Sequence, residues 1–202
     1  MGQLVNKTAL ILGVALYTVA SFASDIALPT PQTSGGMPLM DAMSARRSER
    51  TFSPRELDLQ TVSNILWSAY GISSPDGKRT IPTARNLQNL QVYALTAQGA
   101  FLYDATGNKL VEITDKDLRP LLAEKQAYAG IAPLTLIFVG DGGKYDGMHA
   151  GSAYQNVALY CMSAGLNQVV RGWIDSEALD KELRLDNAQS VIVSLTIGRK
   201  PD

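Results

Sequence analysis

The sequence has very few of the residues from which disulfides and metal sites are built. Cys161 is the single cysteine and His149 the single histidine among 202 residues. One cysteine excludes an internal disulfide and any multi-cysteine metal site, and one histidine argues against a histidine-built zinc site. Glycine-rich phosphate loops, a metalloprotease helix and a serine-hydrolase elbow are also missing from the sequence. Most familiar enzyme classes are therefore unsupported.

Neither sign of charge is in excess, and only one apolar run stands near the N-terminus. The formal net charge is -1 at pH 7, so no binding to nucleic acid is expected. The apolar run 8–20 is too short to span a bilayer comfortably, and a small-x-small pattern follows it at 21–23. Residues 1–23 are therefore predicted to be a signal peptide, with a retained membrane anchor as the alternative. The mature protein is then expected in the periplasm without a stable membrane span.

The rest of the chain predicts one α+β domain over residues 39–202, with a mainly antiparallel sheet flanked by helices. Residues 24–38, rich in Pro, Ser, Thr and Gly, are predicted to be a flexible lead-in. Apolar periodicity and turn residues predict the other elements. The predicted helices are 37–47, a segment from a cap at Asp58 to Gly71, 117–128, 149–164 and 176–183. The predicted strands are 90–96, 100–104, 109–113, 134–139, 168–174 and 191–197.

A basic cluster at residues 46–50 is the most distinctive stretch of the sequence. It contains Arg46, Arg47, Ser48 and Arg50. Arginine presents a planar fork of donors that fits phosphate oxygens in pairs, and a serine hydroxyl adds another donor. The cluster alone is equally consistent with a phosphate site and with a solvated, basic helix end.

Several single residues are also considered as candidates for a functional role. Asn86 and Gln88 follow a turn-rich loop, and their amides could meet the edge of a heteroaromatic ring or lie on a polar surface. His149, at a predicted helix start, is expected at the surface rather than in catalysis. Cys161 is expected in the core rather than as a nucleophile. Trp67 is expected to pack internally or at a subunit interface.

Taken in order, the motifs resemble those of the nitroreductase family of flavin enzymes, over about residues 39–200. The azoline-oxidising dehydrogenases of peptide maturation look like the nearest branch. The motifs are the basic cluster 46–50, residues 65–72, 76–80 with 82–86, Gly151 with 155–156, 169–173 and the terminal 198–200. The resemblance implies a homodimer that binds FMN at the subunit interface. It also implies hydride transfer through flavin N5 to a small acceptor such as a quinone or a nitroaromatic.

The resemblance also implies roles for individual residues at the phosphate end of the flavin. Arg46 and Ser48 match the phosphate contacts of the family, and Arg47 matches the position between them. Arg199 matches a terminal cation on the phosphate. The chemistry of the residues agrees, since several cations near one point suit a phosphate group.

At the ring end, the resemblance implies a second set of contacts. Arg50 matches a basic residue near the pyrimidine edge, and Asn86 and Gln88 match the polar pair at the isoalloxazine edge. Gly172 matches the glycine whose backbone N–H faces flavin N5, with Arg171 before it. Arg171 departs from the family pattern, since many members carry an acidic residue there.

Three functions remain open from the sequence. The first is an FMN oxidoreductase that takes hydride from NAD(P)H, although nicotinamide cofactors are not expected outside the cytoplasm. The second is a flavin-dependent dehydrogenase or oxidase of a small or peptide-derived substrate, which needs no nicotinamide. The third is a non-catalytic flavin-binding protein. Reduction of bound flavin by different donors distinguishes among them.

Overall fold

A computed structural model describes residues 25–124 and 126–201. The predicted signal peptide, residues 1–23, lies outside the described residues. Seven strands form one sheet, and their bounds are β1 (Ile26–Ala27), β2 (Gln91–Thr96), β3 (Gly99–Asp104), β4 (Lys109–Thr114), β5 (Leu134–Gly140), β6 (Leu166–Arg171) and β7 (Ser190–Arg199). The strand order is β1-β4-β3-β2-β5-β7-β6, and every neighbouring pair is antiparallel. The predicted α+β class with an antiparallel sheet is confirmed.

Six helices flank the sheet in the part of the chain that the structure describes. They are α1 (Leu39–Ala45), α2 (Leu59–Tyr70), α3 (Pro120–Ala123), α4 (Tyr128–Ile131), α5 (Asp146–Ser163) and α6 (Ser176–Glu182), with a 3₁₀ turn at Ala84–Asn86. None of these helices combines the length and the apolar character needed to cross a membrane.

Strand β5 lies at the centre of the core and is buried along its whole length. Its side chains alternate between two apolar clusters because successive residues of a strand point to opposite faces. Leu136 and Phe138 join the cluster with α2 and α5, whereas Ile137 and Val139 join the cluster with α3, α4 and α6. The prediction of a strand buried on both faces is confirmed. Cys161 is fully buried on α5, as predicted, and burial raises the pKa of its thiol.

Helix α2 begins and ends where its cap residues predict. Asp58 is the N-cap, and its carboxylate accepts a hydrogen bond from the Thr61 N–H at 2.8 Å. Gly71 follows the last turn, and a side chain at this position would collide with the Trp67 ring. Trp67 is half-buried and donates to the Ile72 carbonyl at 3.0 Å, so it packs against the turn that ends its own helix.

Residues 25–38, which form most of the predicted flexible lead-in 24–38, make specific contacts with the domain. Ile26 pairs with Leu110, so the segment begins as an edge strand. The Asn108 side chain donates to the carbonyls of Leu28 and Pro29 at 3.1 and 2.9 Å. The backbone of this segment is therefore held by hydrogen bonds that a composition-based prediction does not detect.

The prediction of one helix over residues 117–128 is wrong. Two short helices, α3 and α4, replace it. Arg119 lies before α3 and donates from Nη1 to the carbonyl of Ala132, immediately after α4. This tertiary contact folds the segment back on itself, which a continuous helix would prevent.

Candidate functional site

Strand β6 positions the basic cluster. The chain leaves α1 at Ala45 and runs beside β6, where the Glu49 N–H donates to the Gln168 carbonyl at 2.9 Å. The Gln168 side chain donates to the Arg47 carbonyl at 3.0 Å, and the Asn167 side chain donates to the Thr51 carbonyl at 2.8 Å. Residues 47–51 are therefore held through their main chain. Arg47 Nη1 donates to the carbonyls of Ser44 and Arg46 at 2.8 and 2.9 Å, which leaves its Nε and Nη2 for a ligand.

A cavity of about 240 Å³ opens beside this segment, and we call it the cationic cavity. Its lining residues are Ala45, Arg46, Arg47, Glu49, Ala158, Met162, Leu166, Asn167, Gln168 and Lys200. Three cations and one carboxylate leave an excess of two positive charges. The asparagine and glutamine side chains add polar groups on the β6 side. Such a wall suits a dianionic group of the size of a phosphate.

Lys200 is a member of the cationic cavity that the sequence assignment missed, and Arg199 takes a different position. The Arg199 guanidinium donates to the Asp58 carboxylate at 3.1 Å, at the start of α2, and does not line the cavity. Adjacent residues at the end of a strand point to opposite sides. That alternation was the available signal for choosing Lys200 over Arg199.

The Asp58 carboxylate is held ionised by its local partners. Hydrogen bonds from the Thr61 N–H and hydroxyl lower the pKa of Asp58, and the charge of Arg199 adds a smaller effect in the same direction. This exposed pair stabilises the chain end rather than a ligand, because its positive charge is already matched.

Ser48 and Arg50 lie on the same segment as the cationic cavity. Both residues are exposed, and neither lines the cavity. Their assigned contacts with phosphate and with the ring edge remain predictions.

The second predicted group, Asn86 and Gln88, lies on a loop that α5 holds in place. The Ala84 N–H donates to His149 Nε2 at 2.8 Å, and the Asn156 side chain donates to the Thr80 carbonyl at 3.1 Å. His149 is buried, with 1% exposure, so its predicted surface position is wrong. No motif in the sequence indicated that the loop would fold over the start of α5.

This loop, residues 77–88, has an unusual backbone, and we call it the amide loop. Arg85, Asn86 and Gln88 all adopt left-handed conformations, with φ of 54°, 56° and 48°. Such a conformation costs roughly 1–2 kcal/mol for a residue other than glycine. It persists where the surrounding contacts over-determine it. The α5 anchors and the internal hydrogen bonds of the loop provide those contacts.

A cavity of about 260 Å³ lies against the amide loop, and we call it the amide cavity. Its lining residues are Lys78, Arg79, Thr80, Ile81, Pro82, Thr83, Asn86 and Gln88. The Gln88 side chain is tied into the loop, because Arg79 Nε donates to its oxygen at 3.0 Å. The Gln88 amide nitrogen donates to the Gly77 carbonyl at 3.2 Å and to the Asn86 oxygen at 3.1 Å. Of the predicted amide pair, Asn86 is therefore the one with a group left for a ligand.

Gly172 lies just beyond the end of β6, and Arg171 is the last residue of that strand. Gly172 is exposed, and a side chain built on it would meet no atom within 4 Å. Open space therefore borders its backbone, as the approach of a flat ring requires.

Arg171 points into the protein, so its side chain is not positioned for the cofactor contact that the resemblance implies. It is 3% exposed and donates to the Leu122 carbonyl and to the Gln126 side-chain oxygen, each at 2.6 Å. Its guanidinium lies 5.6 Å from the centre of the Tyr128 ring. Burial lowers the pKa of Arg171. The residue joins the α3–α4 segment to β6 and does not reach either cavity.

The two cavities lie beside different parts of α5. The cationic cavity contacts this helix at Ala158 and Met162, whereas the amide loop contacts it at His149 and Asn156. Along the helix axis, Ala158 is about 13.5 Å from His149 but only about 3 Å from Asn156, at 1.5 Å per residue. The cavities share no lining residue. A single chain therefore presents two partial sites rather than one closed pocket.

A third cavity of about 290 Å³ follows Gly172. Leu121, Leu122, Glu124, Trp173, Ile174, Asp175, Ser176 and Glu177 line it. The Trp173 side chain is 60% exposed. The cavity could receive a small substrate next to Gly172.

The fold and the cationic cavity define an α+β protein with a candidate anion site. The chain belongs to the nitroreductase family, whose model matches residues 43–199. A relative in Methanocaldococcus jannaschii, provisionally named a nitroreductase, is 29% identical over 182 residues, which cover 80% of this chain and 91% of that protein. Membership places the protein, in general terms, among the flavin-type oxidoreductases.

Solved structures agree with the family assignment. A provisionally named nitroreductase from Ralstonia eutropha JMP134 superimposes with a TM-score of 0.82 at 34% identity, covering 88% of this chain and 90% of that one. A chain of the Escherichia coli microcin synthetase complex reaches a TM-score of 0.66 at 19% identity, covering 96% and 85%. The second likeness shows a shared fold alone.

Proposed function

We propose that this protein is an FMN-dependent oxidoreductase that passes hydride through flavin N5 to a small acceptor such as a quinone or a nitroaromatic. The observation that carries the proposal is the cationic cavity. Arg46, Arg47 and Lys200 exceed Glu49 by two positive charges, which matches the dianionic phosphate of FMN. Each hydrogen bond to a charged group contributes roughly 1.5–3 kcal/mol, so a few such bonds would hold the cofactor without a covalent link.

The described residues fit the other parts of FMN as well. Asn86 lines a second polar cavity, and the open space beside Gly172 leaves room for a flat ring. When bound, FMN supplies the two-electron chemistry that the protein's own side chains lack. The role of the chain is to bind the phosphate, orient the ring and limit access of water. No protein acid or base is required for that role.

We further propose that two copies of the chain form the complete site. The two separate cavities beside α5 motivate this proposal, together with the exposed apolar side chains of α1. Leu39, Met40 and Met43 are 62%, 73% and 52% exposed. Contiguous exposed apolar residues commonly mark an interaction surface. A second subunit would cover α1 and bring a second set of cavity residues to the site.

Export to the periplasm, based on the predicted signal peptide, is part of the same proposal. Because nicotinamide cofactors are not expected outside the cytoplasm, the electron donor is the part of the mechanism that must be identified by experiment. The cavity beside Gly172 combines apolar side chains such as Trp173 and Ile174 with three carboxylates, and it has room for a small, flat acceptor such as a quinone.

The test is flavin retention by the mature protein, residues 24 onward, after reconstitution with FMN and desalting. We expect flavin absorption bands at one FMN per chain. Arg46→Ala combined with Ser48→Ala should lose the bands, whereas Lys116→Ala should retain them. Lys116 pairs with Glu182 away from both cavities, so it controls for loss of a surface cation. A folded but colourless wild-type protein would overturn the proposal.

The donor is tested on the same sample under anaerobic conditions. NADH, NADPH and a quinol are added separately, and flavin bleaching is followed. Bleaching by a nicotinamide supports the nitroreductase reaction in its usual form. Bleaching by the quinol alone supports the second function, a dehydrogenase or oxidase without nicotinamide. Flavin that no donor or substrate reduces would leave a non-catalytic binding protein.

A further inference from the structure

We infer that Arg79 is a positioning residue for the flavin ring. Acting through Gln88, it turns the Asn86 side-chain amide so that its NH₂ group, rather than its oxygen, faces the amide cavity. Asn86 then donates a hydrogen bond to an acceptor atom of the bound flavin. This inference rests on the proposed function.

The argument begins with the polarity of Arg79. A guanidinium carries only donors, so the group that faces it must be an acceptor. Arg79 Nε lies 3.0 Å from the side chain of Gln88. The oxygen of the Gln88 amide therefore faces Arg79, and its NH₂ group faces away.

A second group of fixed polarity leads to the same orientation. The NH₂ group of Gln88 lies 3.2 Å from the carbonyl oxygen of Gly77, and a carbonyl can only accept. Arg79 and Gly77 thus fix the two ends of the Gln88 amide independently. Neither end can be exchanged without placing two donors or two acceptors in contact.

The orientation then passes to Asn86. The remaining hydrogen of the Gln88 NH₂ group points at the Asn86 side chain at 3.1 Å, so the Asn86 oxygen must accept it. The NH₂ group of Asn86 is left on the opposite side. It has no hydrogen-bond partner among residues 25–124 and 126–201. Asn86 is exposed and lines the amide cavity, so this donor is available to a ligand.

Arg79 is itself held too firmly to turn away. Its guanidinium carbon lies 4.7 Å from the centre of the Tyr70 ring, and Nη1 donates to the Tyr70 carbonyl at 3.3 Å. Its backbone pairs with Ile72 in an isolated antiparallel bridge. The Gln88 N–H donates to the Thr83 hydroxyl at 3.1 Å, which fixes the other side of the network. The contacts within the loop therefore fix the orientation of the Asn86 amide.

The rest of the amide cavity agrees with a ligand that accepts hydrogen bonds. Lys78 lines the same cavity and adds a cationic donor. The isoalloxazine ring carries carbonyl oxygens and unprotonated ring nitrogens, all of which accept. A fixed neutral donor next to a cation would bind such an edge. It would bind the edge more tightly as negative charge accumulates on the ring during reduction.

The experiment measures the FMN dissociation constant of apoprotein variants by quenching of flavin fluorescence, with thermal melts as a folding check. Asn86→Ala removes the donor and should weaken binding about fivefold, as expected for one neutral hydrogen bond. Arg79→Met leaves the two amides free to reverse and should weaken binding about threefold. The double variant should bind like Asn86→Ala alone, because Arg79 acts only through Asn86. Independent, multiplying losses would show a general structural role for Arg79 and overturn the inference.

Gln88→Glu reverses the polarity of the network. A carboxylate has no donor, so it accepts from Arg79 and from the NH₂ group of Asn86, which turns the Asn86 oxygen toward the cavity. FMN binding should fall tenfold or more. The gained Arg79 charge pair offsets the new contact between the carboxylate and the Gly77 carbonyl, so the melting temperature should stay close to that of the wild type. Gln189→Glu adds the same charge outside both cavities and should bind FMN like the wild type.

The outcomes separate the inference from the proposed function. If wild-type protein does not bind FMN, the proposed function fails and the inference falls with it. If wild-type protein binds FMN and Gln88→Glu stays within twofold of it, the inference alone is wrong. The inference also fails if Gln88→Glu loses affinity while Asn86→Ala does not, since Asn86 would then not be the donor.

Discussion

At the scale of single residues, Arg199 and Lys200 provide a matched pair. Lys200 lines the cationic cavity, whereas Arg199 pairs with Asp58. We expect Lys200→Ala to weaken FMN binding by about 1.5–3 kcal/mol, the contribution of a charged hydrogen bond. Arg199→Ala should leave the affinity within twofold and cost at most about 1 kcal/mol of stability, as exposed ion pairs do. Titration of both apoproteins with FMN checks this, and the opposite order would return the phosphate contact to Arg199.

Arg171 gives a second prediction at this scale, because its position separates stability from cofactor binding. Arg171→Ala would remove the donor to the Leu122 carbonyl and leave a void below Tyr128. We expect a loss of about 2–4 kcal/mol in the free energy of unfolding, from an unsatisfied buried acceptor and lost packing. FMN affinity, measured at a temperature where the variant is folded, should stay within twofold. Urea unfolding gives the stability change. A variant of normal stability that loses FMN would show that Arg171 contacts the cofactor after all.

At the scale of elements, α5 holds the amide loop through His149. The Ala84 N–H donates to the buried His149 Nε2, and His149→Phe keeps a ring but removes the acceptor. We expect a loss of about 1–3 kcal/mol in stability from the unsatisfied donor, together with weaker FMN binding through disorder of the loop. His149→Gln, whose oxygen reaches a similar position, should recover part of both losses. Equal effects of phenylalanine and glutamine would show that the ring, and not the acceptor, matters at this position.

The elements also show which parts of the fold could be predicted from the sequence. Strand β5 and helix α2 follow local rules, since an unbroken apolar run, an Asp cap and a terminal glycine determine them within their own residues. The α3–α4 segment could not be predicted, because Arg119 breaks it by bonding to Ala132 across the loop. The contacts of Leu28 and Pro29 could not be predicted for a similar reason, since their hydrogen bonds come from Asn108, distant in sequence.

The residues of the candidate site fall into the same two groups, those predictable from neighbouring residues and those set by distant contacts. The basic cluster was visible because its residues are neighbours in sequence. The choice between Arg199 and Lys200 depended on which side of the sheet each residue faces at the strand end. The burial of His149 and the inward direction of Arg171 depended on the loop and helices that cover them. Chemistry within one segment can be read from the sequence, whereas contacts between distant segments require the fold.

At the scale of the whole molecule, the apolar face of α1 is the surface that we propose a second subunit covers. Met40 and Met43 are largely exposed on this short helix. Placing charges there should prevent a second subunit from covering it, since burying an unpaired charge is costly. We therefore expect Met40→Lys combined with Met43→Lys to convert a dimer into a monomer, as measured by light scattering during size-exclusion chromatography.

Flavin binding should change together with the oligomeric state. Neither substitution touches the lining of the cationic or the amide cavity, so a monomer with intact cavities would still lose FMN if each site needs residues from two subunits. Leu59→Lys, at an exposed apolar residue of α2, is the matched control and should remain dimeric with FMN bound. A wild-type protein that is monomeric at every concentration yet retains one FMN per chain would show that the two cavities of a single chain serve the cofactor without a partner.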